Sequence, residues 1–212
     1  MSDNAESLPA PGTTFAELVW PARAGATAFT RGVLLSLLGA CLLTISAKVQ
    51  VPGPVPMTLQ TLAVMAIGAA LGMRLAVASV ALYVLEGVCG LPVFANTPPM
   101  APTLAYLLGP TGGFLLGFAA AAGIVGYAAD RGAMKRPLAF AAVLAAANVA
   151  LMLIGCVWIA LLAQTAGGTG LGFAKAFEIG VKPFFLANTL KLALAAVAIP
   201  LVYGTLVRYV QR

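Results

Sequence analysis

Long apolar runs, separated by short clusters of proline, glycine and charge, fill the chain from about residue 30 onward. A helix needs about 20 apolar residues to cross the hydrocarbon core of a bilayer. Runs of that kind lie at about 31–48, 57–72, 75–93, 109–129, 138–164 and 183–207. The second is short, and the fifth is long enough to tilt. No run alternates polar with apolar residues, as the strands of a barrel would. The pattern predicts an all-α membrane protein of six transmembrane helices. Two connectors stand out. "KVQVPGPVPMT" carries prolines at 52, 54 and 56, which forbid regular helix. "GLPVFANTPPMAPT" carries prolines at 92, 98, 99 and 102 and no charge at all. An uncharged, proline-rich loop suits a cover over an apolar cavity, or an ordinary extracytoplasmic connector. Residues 1–29 read as a polar tail in which Phe15–Trp20 forms a short interfacial helix, and residues 30–212 as the membrane domain. The tail has no short apolar stretch followed by a small-residue cleavage site, so it is not expected to be a cleaved signal peptide.

Composition strengthens this picture. Hydrophobic residues make up 61% of the 212 and charged residues 8%, with a mean hydropathy of +1.01. Soluble domains carry about 25% charge. With both termini cytoplasmic, eight basic residues lie inside (Arg23, Arg31, Arg74, Arg131, Lys135, Arg136, Arg208, Arg212) and Lys48, Lys175 and Lys182 outside. That excess obeys the positive-inside rule and predicts a multi-pass protein of the inner (plasma) membrane. The net charge of +6 then concerns topology and anionic membrane lipid, not nucleic acid. Histidine is absent and Cys41, Cys89 and Cys156 lie apart, so no metal, haem or other cofactor is expected. No glycine precedes a lysine, which rules out a P-loop in this sequence. An intramembrane enzyme using Lys191 as base is disfavoured by the lack of histidine and of paired acids; the chain is read as no enzyme.

Two ionisable residues, Glu86 and Lys191, fall inside predicted spans. Each costs about 2.5–3.5 kcal/mol at a helix centre, so such groups face a cavity, pair together or snorkel. Lys191 shares a helix face with Asn188, three residues earlier in "PFFLANTLKLALAA". Gln60, Tyr83, Asn96 and Asn148 add polar groups near the same ends of their segments. Singly each makes a helix–helix hydrogen bond; together they would line one pocket open to the outside. Gly32, Ser36, Ala40 and Thr44 recur every fourth residue, a stripe that admits close approach of another helix. That helix is either a partner's or a neighbouring span's.

Read in order, "VPGPVPMTLQTLAV", "YVLEGVCGLPVFA", "GPTGGFLLGF", "NVALMLIGCVWIA" and "KPFFLANTLKLALAA" resemble the BioY family across residues 31–205. The family comprises the biotin-binding S components of energy-coupling factor (ECF) transporters. The resemblance implies a six-helix subunit that captures biotin from outside and hands it across with a transmembrane coupling protein and two cytosolic ATPases. A solitary biotin transporter, or a related subunit for another small carboxylate, stays open beside it. The family's Asp-x-x-Lys ligand motif matches Asn188 and Lys191, so the lysine is kept and the acid is not. The resemblance places the ligand among Asn188, Lys191, Asn96, Gln60, Tyr83, Glu86 and Asn148, with Trp158 packing on the thioether ring or anchoring its helix. It places coupling-protein docking on Ser36, Ala40 and Thr44.

Overall fold

The computed structural model describes residues 14–21, 25–51, 55–98, 104–165 and 167–210. Its helices are α1 (Phe15–Val19), α2 (Ala26–Lys48), α3 (Gln60–Val88), α4 (Leu104–Leu108), α5 (Gly112–Asp130), α6 (Pro137–Leu161), α7 (Phe173–Gly180) and α8 (Phe184–Val210). Among the described residues, α2, α3, α5, α6 and α8 are long and apolar enough to cross a membrane. The chain is an integral membrane protein.

One helix does not run straight. Gly72, inside α3, has φ 76° and ψ 174°, a conformation that only glycine adopts freely. Gln60 and Tyr83 lie 23 residues apart, yet Gln60 Nε2 donates to the Tyr83 hydroxyl at 2.9 Å. A straight helix would separate them by about 35 Å. α3 is therefore two antiparallel arms, residues 60–71 and 73–88, folded back at Gly72. The Asp130 carboxylate accepts the Met73 N–H at 3.0 Å, which satisfies an amide left bare where the second arm begins. A side chain at residue 72 would strike that carboxylate. The two arms correspond to the runs expected at 57–72 and 75–93, although the second arm stops at Val88.

The core centres on α5, which packs between α3 and α6. Ala121, Ala122, Val125 and Ala129 of α5 are fully buried. By contrast only 11% of the apolar stretch of α8 is covered by protein. Its Phe185, Leu186, Leu190, Leu194 and Val197 are exposed, as lipid-facing residues must be.

α2 starts at Ala26, five residues before the expected span, and packs chiefly on α3. Ala40 is fully buried, Ser36 is buried and Thr44 is partly so. At Ala40 the stripe of small residues is thus used within the chain. Of the region expected to be a tail, the described residues 14–21 pack on the bundle. Thr14 caps α1 by accepting the Glu17 N–H, Leu18 is buried, and Phe15 meets Tyr203 of α8 edge-on at 5.5 Å. Arg31 of α2 ties this segment down through the Trp20 carbonyl, at 2.6 Å, and the Glu17 carboxylate, at 3.0 Å. The described residues also hold a short 3-10 turn at Ala133–Lys135 and two antiparallel strand pairs: β1 (Gln50–Val51) with β2 (Met57–Thr58), and β3 (Gln164–Thr165) with β4 (Gly168–Thr169).

Candidate functional site

At the end opposite Gly72 the two arms of α3 are joined by a buried polar chain. Thr58 Oγ1 donates to Gln60 Oε1 at 3.2 Å, Gln60 Nε2 donates to Tyr83, and Tyr83 donates to the Val93 carbonyl at 3.4 Å. The loop after α3 folds over this chain. Phe94, fully buried, stands edge-on to Tyr83 at 5.4 Å and stacks on Tyr106 at 4.6 Å. The Tyr106 hydroxyl donates to the Ala95 carbonyl at 3.0 Å. Gly87 makes room for this packing, since a Cβ there would overlap the Phe94 ring.

Beneath the loop lies a cavity walled by Tyr83, Tyr106, Phe114, Phe118 and Phe184. Thr58, Gln60, Thr61 and Thr111 present polar atoms to it, and Val55, Pro56 and Ala95 cover it. Its free space is about 40 Å³, room for a few waters. An aromatic slot with an amide and a phenol at one side suits a ring that is apolar on its faces and hydrogen-bonding at its edge.

Lys191 stands one residue behind this wall. Its ammonium donates to the Thr58 carbonyl at 2.7 Å and to Asn188 Oδ1 at 3.3 Å. Thr58 lines the cavity on one side and, on the other, a cleft containing Lys191, Gln50 and Ala187. Among the described residues Lys191 has no ion pair; those present join Arg31 to Glu17 and Lys175 to Glu178. Asn188 is buried, and its Nδ2 donates to the sulfur of Met152, a cavity residue, at 3.5 Å. The ammonium thus lies behind the cavity wall, in the cleft on the far side of Thr58, and among the described residues no carboxylate pairs with it.

The other expected residues fall into two groups. Asn148 lies one helical turn before Met152, and its Oδ1 is buried without a hydrogen-bond partner. Asn96 and Glu86 are not among the cavity-lining residues. Asn96 takes φ 59°, a left-handed turn conformation in which asparagine is enriched. Its neighbour Ala95 lines the cavity instead. Glu86 sits in the last turn of α3, partly exposed. Trp158 does not face the cavity; its indole N–H donates to the Gly109 carbonyl at 2.9 Å and pins the turn before α5. Of the two proline-rich connectors, residues 52–54 and 99–103 lie outside the described residues, while 55–56 and 95 line the cavity.

Sequence reasoning missed the aromatic walls. Phe114 and Phe118 share a face at i, i+4, and Phe184 precedes Asn188 by one turn; that spacing is the signal they offered. It also counted Lys48 only as a charge. Lys48 Nζ donates to the carbonyls of Pro92, Phe94 and Thr97.

Comparison with known proteins gives one consistent result. The model of the BioY family matches residues 16–208. A probable biotin transporter BioY of Pyrococcus horikoshii is 34% identical over 166 residues, covering 78% of this chain and 91% of its own. The biotin transporter BioY of Thermotoga maritima is 35% identical over 156 residues, covering 73% and 85%. Among solved structures, the S-component for biotin from an ECF-type ABC transporter superposes with a TM-score of 0.70 at 17% identity. It covers 86% of this chain and 95% of that one. At that identity the likeness speaks for the fold.

Proposed function

Because this chain belongs to the BioY family, we propose that it is the S subunit that captures biotin at the outer face of the plasma membrane for ECF-driven uptake. The observation that carries the reading is Lys191, an ammonium that among the described residues has no carboxylate partner, held against the wall of an aromatic cavity through the Thr58 carbonyl. Biotin is a monocarboxylate whose ureido ring offers two N–H donors and one carbonyl, beside an apolar thioether ring. Gln60 and Tyr83 match the ureido edge, the aromatic walls match the ring, and Lys191 supplies the counter-charge. The orphan Asn148 Oδ1 and the Asn188 amide stand near Met152 as further acceptors and donors. A guest of that size needs more than about 40 Å³, so Phe184 or the covering loop shifts when it enters.

In this reading each arm of α3 crosses the membrane, which with α2, α5, α6 and α8 makes six spans and leaves both termini cytoplasmic. The coupling protein and two ATPases supply the energy. Docking on α2 falls to its surface around Thr44, since Ala40 is already buried. Titration of the purified protein with biotin tests the proposal: saturable one-site binding is expected, and biotinol, which lacks the carboxylate, should bind much more weakly. No binding of biotin under conditions where the protein stays folded would end the proposal.

A further inference from the structure

Lys48 is the last residue of α2 and its side chain reaches across to the loop that covers the cavity. An ammonium has three N–H donors. All three are matched: Nζ lies 2.6 Å from the Pro92 carbonyl, 2.8 Å from Phe94 and 2.6 Å from Thr97, with Thr97 Oγ1 at 3.3 Å. Thr97 tightens the same turn, its hydroxyl donating to the Phe94 carbonyl at 2.6 Å. Three carbonyls converging on one point repel one another, so the turn needs a cation at its centre. On the inner side of this turn stand Phe94, edge-on to Tyr83 and stacked on Tyr106, and Ala95, a cavity residue. The carbonyls that bind Lys48 thus belong to the residues that set the position of the cavity cover.

We propose that Lys48 is a positioning residue for ligand retention: its ammonium organises the turn 92–97 and so holds Phe94 and Ala95 over the bound molecule. The inference rests on the biotin-binding reading of the cavity. Lys48 is exposed, which weakens each bond, but the three act on a single short turn. Losing them frees the cover to open, and this raises the release rate more than it changes the rate of capture. A fixed fork of guanidinium donors cannot point at one centre, so arginine restores the charge and only part of the geometry.

The test compares native protein with Lys48→Met and Lys48→Arg in lipid nanodiscs, measuring release of radiolabelled biotin after dilution into unlabelled biotin. Release from Lys48→Met is expected to be about tenfold faster or more, with association within about twofold of native and Lys48→Arg between the two. Amide hydrogen exchange of ligand-free protein supplies a second readout, and faster exchange confined to residues 93–97 is expected in Lys48→Met. Unchanged release together with unchanged exchange overturns the proposal. So does a loss that appears only as slower capture or as a lower melting temperature. Failure of the native protein to bind biotin would instead strike the reading of the cavity, and the exchange measurement would still decide whether Lys48 orders the turn.

Discussion

At Gly72 the two arms of α3 reverse because one glycine takes φ 76°, whereas at their other end a hydrogen bond of 2.9 Å between Gln60 and Tyr83 holds them side by side. The first junction is backbone and admits a single solution. Gly72 has no Cβ to accommodate, and the Asp130 carboxylate fills the place where one would go. The second is made of side chains that also line a cavity, each with lone pairs or protons that a guest can engage. The same pair of helices is thus rigid where it turns and chemically available where it opens. On the proposed reading, stability and recognition lie at opposite ends, and substitutions should separate them.

The largest effect belongs to the turn. Gly72→Val forces a β-branched residue into a left-handed conformation and drives its Cβ into Asp130. A loss of about 3 kcal/mol or more is expected, read as a collapse in the yield of monodisperse protein and in its melting temperature. A variant that melts like native protein would show that the open end, not the turn, holds the arms together.

Next comes Lys191→Met, which should have the opposite signature. Removing an ammonium from a membrane-embedded helix relieves a burial cost, so the melting temperature should hold or rise. The bonds to Thr58 and Asn188 go with it. Biotin affinity should fall about 10- to 100-fold, the worth of one charge-assisted contact. Affinity for biotinol should barely change. Equal losses for both ligands would mean that Lys191 shapes the wall instead of meeting the carboxylate.

How far this division could be read from residues depends on which group does the work. The membrane helices were legible because spanning a bilayer demands long apolar runs, and the gap between the second and third runs marked the Gly72 turn to within a few residues. Asn188 and Lys191 were legible because polar groups in such runs carry a cost that needs a reason. Gln60 and Tyr83 stood out for the same cause. The aromatic walls were not legible: Phe114, Phe118 and Phe184 look like any other residue of an apolar helix until the helices are packed. Lys48 was opaque for a different reason. Its partners are backbone carbonyls, which every residue has, so no sequence pattern marks them. Asn96 stood out by its side-chain chemistry, and what the sequence did not mark is its φ of 59°, which places it in the turn beside the cavity residue Ala95.

The smallest expected effect is also the finest test of the open end. Asn188→Asp restores the acid of the family's motif beside Lys191. The buried Asn188 now accepts from Lys191 at 3.3 Å through Oδ1 and donates weakly to the Met152 sulfur at 3.5 Å through Nδ2. A carboxylate there loses the soft contact to sulfur and gains a charge-assisted one to the ammonium. It also accepts more strongly from a ureido N–H. Against these gains, it partly neutralises the ammonium that we propose meets the ligand's carboxylate. The terms oppose, so affinity near neutral pH should stay within about threefold of native or improve. The pH profile separates them further. Asparagine does not titrate, whereas a carboxylate loses its charge, and with it the charge-assisted contact, in acid. Acid-dependent weakening should therefore appear in Asn188→Asp beyond that of native protein. A loss of more than about tenfold at neutral pH would show that the free charge of Lys191 outweighs any direct contact at 188, and that the asparagine is there to leave that charge unspent.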